Sequence, residues 1–460
     1  MQEKDVEVRE KRVIYGIDSK PPFLQALGFG FQHLLVLTGG LVVFPLVVGG
    51  AFGLSAAQIA AFIGVTWIAM GINTFLQAFL IGNRMPIVQG PSFSFIVPAI
   101  VIAGMTGGGV AGMAVYMGAV ILGGITEAII GYGRIIGFVK KLISPITMGV
   151  VIMLIVLGLY KIDMDMAKGS PVMMIFILAI VLILSVIVGK KRPAFKMFSI
   201  LIAIAIGYLI CLIGKWAGII KPESALYINF AGIAEAPWVT WPVPFRWGTP
   251  KFSLSAYLII MAGYISSMVE SVGDYHAYAV VSDLPPPDKD KLNKGIGAEG
   301  VGCVISGIIG GPASTSYTEN MGAIAITGVA SRYVVGFCAG LVIILGFLRK
   351  FGGLVATVPS PVIAGVLAVA VALIIGAGIE QISKVDIHSS RNQIIIGLGL
   401  FFGLAIPYLM ESIPIVIPSA EWLANALNGL LKTPMAVGLI VCMLLDNILP
   451  GTKKERGLEV

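Results

Sequence analysis

Gly90-Pro91-Ser92-Phe93-Ser94 and Gly311-Pro312-Ala313-Ser314 are two stretches of one kind, 221 positions apart, and each interrupts an apolar run. A second pair follows in the same order at an offset of 216: Ser144-Pro145-Ile146-Thr147-Met148-Gly149 and Ser360-Pro361-Val362-Ile363-Ala364-Gly365. Landmarks repeated in order mark an internal duplication. Gly-Pro followed by Ser, Thr, Phe or Tyr is poor helix material and fair extended-chain material. Each member of the first pair therefore reads as a short strand leading into a half-helix.

The chain around these landmarks is strongly apolar. Hydrophobic residues make up 57% of its 460 positions and charged residues 12%, against about 25% charge in soluble domains. One core cannot hide that much apolar surface, whereas lipid can take it, because helices satisfy their own backbone groups. The 58 glycines and 25 prolines agree, since both are more frequent in membrane helices than in soluble ones.

A spanning helix needs about 20 apolar residues, and about fourteen segments qualify. They fall near 24–50, 56–82, 87–104, 108–132, 143–160, 172–189, 197–219, 254–281, 296–310, 313–328, 333–348, 354–379, 393–410 and 433–449. The landmark pairs lie in spans three and ten and in spans five and twelve. An odd number of spans per repeat turns the second copy over, so the expected fold is all-α and polytopic, a seven-plus-seven inverted repeat. Its spans three and ten would carry short antiparallel strands. Extended backbone at that depth is tolerated where it is paired or lines a cavity, and interrupted spans at matching positions point to a midplane binding site.

Lys and Arg collect in cytoplasmic loops. With the N-terminus inside, the loops after even-numbered spans and the two tails hold 22 of the 31 basic residues. Arg349 and Lys350 are exceptions. The bias predicts a multi-pass protein of the cytoplasmic membrane with both termini cytoplasmic. The net charge of +7 is then a topology signal rather than a sign of nucleic acid. The first twenty residues are polar and mixed in charge, so no cleavable signal is read there. Cys211, Cys303, Cys338 and Cys442 sit in apolar spans without zinc or disulfide spacing and read as small core residues. The stretch from Pro222 to Pro250, with Trp238, Trp241 and Trp247, reads as an outer loop with interfacial aromatics.

Ionisable residues within spans are functional candidates. Span eight carries Val269-Glu270-Ser271-Val272-Gly273-Asp274, whose two acids are four apart and share a helix face. Such a pair can hydrogen-bond a polar ligand and take up a proton. Capping or bridging of neighbouring helices is the structural alternative. Span ten carries Thr318-Glu319-Asn320-Met321-Gly322 and Thr327-Gly328. Glu319 and Asn320 fall at the start of a half-helix, where the dipole favours an anion or an acceptor-rich ligand. Asn320 could equally cap the helix. An acid beside an amide suits the N–H and C=O edges of a flat heterocycle. Phe93 can offer such a ring an apolar face or simply pack in the core, and Ser94 adds a hydroxyl beside it. His33, with Gln32 adjacent, fits support of the site without direct contact. Glu299 opens span nine and either completes the acid cluster or sits at the interface. Glu127 in span four has no assigned partner, and His276 faces away from Asp274.

At these residues the chain resembles the nucleobase–ascorbate transporter family, also called nucleobase:cation symporter-2, the xanthine/uracil permease type. The carriers of the resemblance are Glu319-Asn320-Xaa-Gly322-Xaa4-Thr327-Gly328, Gln32-His33, Gly90-Pro91-Ser92-Phe93-Ser94 and Glu270-Ser271-Val272-Gly273-Asp274. It covers nearly the whole chain in the expected order. It implies a core of 24–132 and 253–350 and a gate of 133–221 and 351–450, with an outer loop at 222–252 and tails at 1–23 and 451–460. It further implies a homodimer, proton-coupled uptake of a nucleobase, and no cofactor. Glu270, Glu319, Phe93, Asn320 and Ser94 would then bind substrate, while Asp274, His33, Glu299 and Gln32 would couple protons or support the site. Asp274 and Gly328 resemble xanthine and uric acid members, whereas Glu319 resembles uracil members. Ascorbate members place Pro at that position, so ascorbate is not expected.

A channel would want a continuous polar stripe, while the polar residues here gather at one depth. An enzyme would want a nucleophile–base pair or metal ligands, and the three His at 33, 276 and 388 are scattered. An anion exchanger of the same fold would want positive charge where this chain offers carboxylates. Uniport or sodium coupling remain the related alternatives.

Overall fold

Short polar side chains start the helices of the computed structural model, which describes residues 13–137, 144–230, 233, 237–239, 241–452 and 455–457. Ser55 accepts from the Gln58 main-chain N–H while Gln58 answers to the Ser55 N–H, a complete capping box. Ser144, Ser253 and Asp288 likewise accept from the N–H three residues on.

In chain order the longer helices are α1 (Phe23–Ala51), α2 (Ala56–Phe75), α3 (Ile96–Thr106), α4 (Gly109–Tyr132), α5 (Pro145–Leu157), α6 (Tyr160–Ala167), α7 (Pro171–Leu182), α8 (Ser199–Trp216), α9 (Leu254–Val281), α10 (Lys289–Ile309), α11 (Asn320–Thr327), α12 (Arg332–Phe347), α13 (Arg349–Ala356), α14 (Ser360–Ile382), α15 (Ser390–Ser412), α16 (Glu421–Leu431) and α17 (Pro434–Ile448). The strands are β1 (Gln89–Pro91) and β2 (Ser314–Ser316).

Among the described residues, nine helices are long and apolar enough to cross a membrane, or ten if α16 and α17, bent by 85°, count as one span. The expected fourteen are not reached on that measure, for physical reasons. Phe93–Thr106 and Arg332–Phe347 are apolar but short. Helix α10 begins with Lys289, Asp290, Lys291 and Lys294, and α11 is eight residues long. Lys4, Arg9, Lys11, Arg12, Lys140, Lys141, Lys453 and Lys454, all part of the charge bias, lie outside the described residues.

The inverted repeat is visible in the packing. Spans two and nine are counterparts, as are four and eleven, and α2 packs on α12 just as α10 packs on α4. Glycine lets both crossings close. A Cβ on Gly64 would meet the Gly346 carbonyl at 2.8 Å, and one on Gly124 would meet that of Gly300 at 2.8 Å. Small residues at the contact let membrane helices approach this closely. Helices α5 and α14, opened by the two Ser-Pro landmarks, pack on each other in the same way.

The two strands meet as expected. β1 pairs antiparallel with β2 in the register Gln89–Ser316, Gly90–Thr315 and Pro91–Ser314. Helix α10 holds β2 in place. Cys303 accepts from the Ser314 N–H at 3.3 Å, and Ser306 donates to the Pro312 carbonyl at 2.5 Å.

One sequence expectation needs correction. Trp247 is not an interfacial aromatic: it is 4% exposed and donates to the Gly310 carbonyl at 2.8 Å, sealing the turn before β2. Trp238 and Trp241 remain exposed. Arg349 and Lys350, awkward as loop charges, dock on that loop. The Arg349 N–H donates to the Trp238 carbonyl, and the Lys350 ammonium lies 4.7 Å over the Trp238 ring. The cysteines are buried and free. At the other end, residues 14–17 fold back along the end of α11, where Gly328 accepts from the Ile14 N–H at 2.7 Å.

Candidate substrate site

Helix α9 runs past the strand pair, and its polar residues meet the strands' hydroxyls. Ser316 donates to Asp274 at 2.7 Å, and Thr318 donates to the same carboxylate at 2.9 Å. Ser271 donates to Glu299 of α10 at 2.6 Å, Tyr275 donates to it at 2.7 Å and the Gln89 amide at 3.1 Å. The Ser271 and Ser316 hydroxyls are 3.1 Å apart, so the two acids belong to one polar network. Both are buried, at 6% and 1% exposure.

Glu270 stands differently. It is half-buried, its nearest donor is the Ser92 hydroxyl at 3.4 Å, and it lies within electrostatic reach of Asp274, Glu319 and Glu299. Thr318 and Glu319 are exposed although they follow a fully buried strand, so the start of α11 reaches open space. Glu319 occupies the N-cap position of α11 without capping it. An acid there faces the positive end of the helix dipole.

Asn320 is the first helical residue rather than the cap. Its amide donates to the main-chain carbonyl and the ring Nδ1 of His33, each at 3.0 Å. Gln32 is half-buried beside it on α1. Phe93 lies half-buried in a short turn between β1 and α3 and packs against two apolar clusters, one of which includes Val150 and Met435. Ser94 is 1% exposed; its hydroxyl has no partner among the described residues, and the serine that reaches Glu270 is Ser92. Tyr317 covers Gly90, where a Cβ would overlap the ring. Next to Glu270, Val269 and Ile265 of α9 line an apolar cleft with Val151 of α5 and Leu439 of α17. No group of three or more His, Cys, Asp or Glu with metal-binding geometry occurs among the described residues.

The arrangement is a set of acids and hydroxyls gathered in one place, with Glu270 and Glu319 reaching open space and Asp274 and Glu299 enclosed, inside helices built for lipid. Residues 24–412 match the family model Xan_ur_permease, described as a permease family. The chain belongs to that family. Among relatives of this nucleobase–ascorbate transporter family, human Solute carrier family 23 member 2 is 32% identical over 495 aligned residues, covering 97% of this chain and 76% of the relative. Nucleobase-ascorbate transporter 1 of Arabidopsis thaliana is 31% identical over 473, covering 96% and 91%. These relatives are transporters, and this permease is a multi-pass membrane transporter of small molecules rather than an enzyme.

Solved structures share the permease's fold. The transmembrane domain of the cyanobacterium bicarbonate transporter BicA gives a TM-score of 0.54 at 16% identity, covering 93% of this chain and 99% of that one. The murine anion transporter Slc26a9 gives 0.58 at 12% identity, covering 93% and 69%. At such identities the likeness shows architecture alone, that of the seven-plus-seven repeat.

Several groups that build the permease's site escape sequence reasoning. Gln77 donates to the Tyr275 hydroxyl at 3.0 Å, Thr74 accepts from the Gln89 N–H at 2.9 Å, and Asn73 is hydrogen-bonded to Ser314 at 2.8 Å. The available signal was three polar residues at helical spacing in the otherwise apolar span two.

Proposed function

We propose that this permease is a proton-coupled nucleobase symporter, taking a purine such as xanthine or uric acid, or uracil, inward across the cytoplasmic membrane. The observation that carries the reading is Glu270, half-buried among enclosed acids and facing the exposed Glu319. Two carboxyls at the mouth of a polar pocket offer acceptors to ring N–H groups and, when protonated, donors to ring carbonyls. Phe93 supplies an apolar face beside them. The name borne by the Arabidopsis relative agrees with this substrate class.

In this reading Glu270, Glu319, Phe93, Asn320 and Ser94 face substrate. Asp274, Glu299, His33 and Gln32 couple the proton or hold the site. The core of 24–132 and 253–350 moves like an elevator against the gate of 133–221 and 351–450, with both termini cytoplasmic, in a lipid-embedded homodimer. The apolar cleft between α9 and α5 and α17 supports such a sliding boundary, since apolar surfaces carry few directional bonds to break.

The test is uptake into proteoliposomes with an imposed proton gradient, against uracil, xanthine, uric acid, guanine and adenine. Gradient-driven accumulation of one of them supports the reading, and indifference to all five overturns it. Accumulation driven by sodium, or flux that ignores both gradients, would make the permease a sodium-coupled carrier or a uniporter.

A further inference from the structure

Glu127 of α4 has no exposed surface, and neither carboxyl oxygen has a hydrogen-bond partner among the described residues. Helix α4 is pressed onto α10 at this level: a Cβ on Gly300 would meet the Gly124 carbonyl at 2.6 Å. Glu127 and Glu299 flank that contact from the two helices and act on each other electrostatically. The other titratable groups facing Glu127 are Cys303 of α10 and Tyr264 and Tyr275 of α9. None is basic, and the hydroxyls are spent. Tyr264 donates to the Val120 carbonyl at 2.8 Å and Tyr275 to Glu299 at 2.7 Å. The Cys303 thiol, a weak donor, lies beside the carboxyl without reaching hydrogen-bond geometry.

Glu299 is the opposite case. It collects the Ser271 and Tyr275 hydroxyls and the Gln89 amide. Donors stabilise a carboxylate, while burial without them stabilises the acid. Two neighbouring acids in such unlike settings divide the roles between them.

We propose that Glu127 is a proton-holding residue paired with Glu299 across the α4–α10 contact, the two acids together carrying one proton and one negative charge. From Glu299 the polar line continues through Ser271 and Ser316 to Asp274, with oxygen separations of 2.6, 3.1 and 2.7 Å. Glu127 thus stands behind the Glu299 end of a polar line whose other end, Thr318, opens toward Glu319. Its part in transport rests on the proton-coupled reading above; its protonation does not.

Infrared spectroscopy of the purified full chain in lipid nanodiscs tests the proposal without transport, because a carboxylic acid C=O stretch is distinct from the carboxylate bands. The wild-type minus Glu127→Gln difference should show loss of an acid band that shifts in D2O. Loss of carboxylate bands instead would overturn the proposal. Glu127→Met removes the same group without adding a polar one and serves if the first variant does not fold. Glu299→Gln removes the neighbouring charge and should move the Glu127 band; a band that stays in place would overturn the pairing.

Discussion

The Asn320 amide donates to two acceptors of one residue, the main-chain carbonyl and the ring Nδ1 of His33, both at 3.0 Å. An amide nitrogen has no lone pair to offer, so Nδ1 accepts and the ring proton sits on Nε2. This contact ties the half-helix α11 to α1. Asn320→Ala strands the buried His33 Nδ1 and removes a second bond to the His33 carbonyl, and should cost about 1–3 kcal/mol of stability. Asn320→Asp keeps the shape but turns an acceptor toward acceptors, and should cost more. Thermal unfolding of the purified variants reads both, and an aspartate variant as stable as wild type would show that the contact contributes nothing.

Glu270 and Glu319 are the acids of the site that reach open space. Glu270→Gln and Glu319→Gln should each leave the protein folded and weaken nucleobase binding roughly ten- to hundredfold, the loss of one charge-assisted hydrogen bond worth about 1.5–3 kcal/mol. Calorimetric titration measures this. Unchanged affinity in both variants would place the binding site elsewhere.

The repeated Gly-Pro landmarks made the strand pair legible because extended backbone in a membrane has few permitted places. Its register was not, since nothing in either strand names Ser316 as the partner of Gln89. The acids of spans eight and nine stood out against an apolar background. Their donors did not: Tyr275 looks like an ordinary helix residue until folding sets its hydroxyl between Gln77 and Glu299. Trp247 misled because an outer-loop tryptophan is usually interfacial, and its buried bond to Gly310 depends on where span nine ends. The return of residues 14–17 to Gly328 left no trace in hydropathy, since it is a backbone pairing.

Gly90 lies under the Tyr317 ring, and any Cβ there would overlap it. Gly90→Ala must push Tyr317 aside, and with it the Tyr317 N–H bond to Val88 at 3.0 Å and the bond its carbonyl accepts from Tyr278 at 2.6 Å. Overpacking of this kind costs about 1–3 kcal/mol. Unfolding midpoints check the stability loss, and substrate affinity should fall with it because both strands shift.

Selectivity turns on Glu319. A carboxylate accepts only, whereas an amide both donates and accepts. If the acid favours uracil, Glu319→Gln should move preference toward xanthine. Competition assays across the five bases measure the order, and an order unchanged by the substitution would exclude Glu319 as the discriminating group.

Asp274 is enclosed by hydroxyls rather than by charges, with Ser316 donating at 2.7 Å and Thr318 at 2.9 Å. Hydroxyls rotate, so an asparagine can be accommodated: its oxygen accepts from one neighbour while the other turns to accept from its amide. Asp274→Asn therefore removes a proton site and a like charge from beside Glu270 while sparing the geometry around it. The expected variant binds substrate with near wild-type affinity. It does not accumulate substrate under an imposed proton gradient, keeping only exchange or downhill flux. Losing binding together with accumulation would mean that Asp274 shapes the pocket, because a residue needed only for the proton cannot change affinity at fixed protonation. Accumulation at wild-type levels would exclude Asp274 as a required proton site and leave Glu270 and the Glu127–Glu299 pair as the acids able to carry the coupled proton.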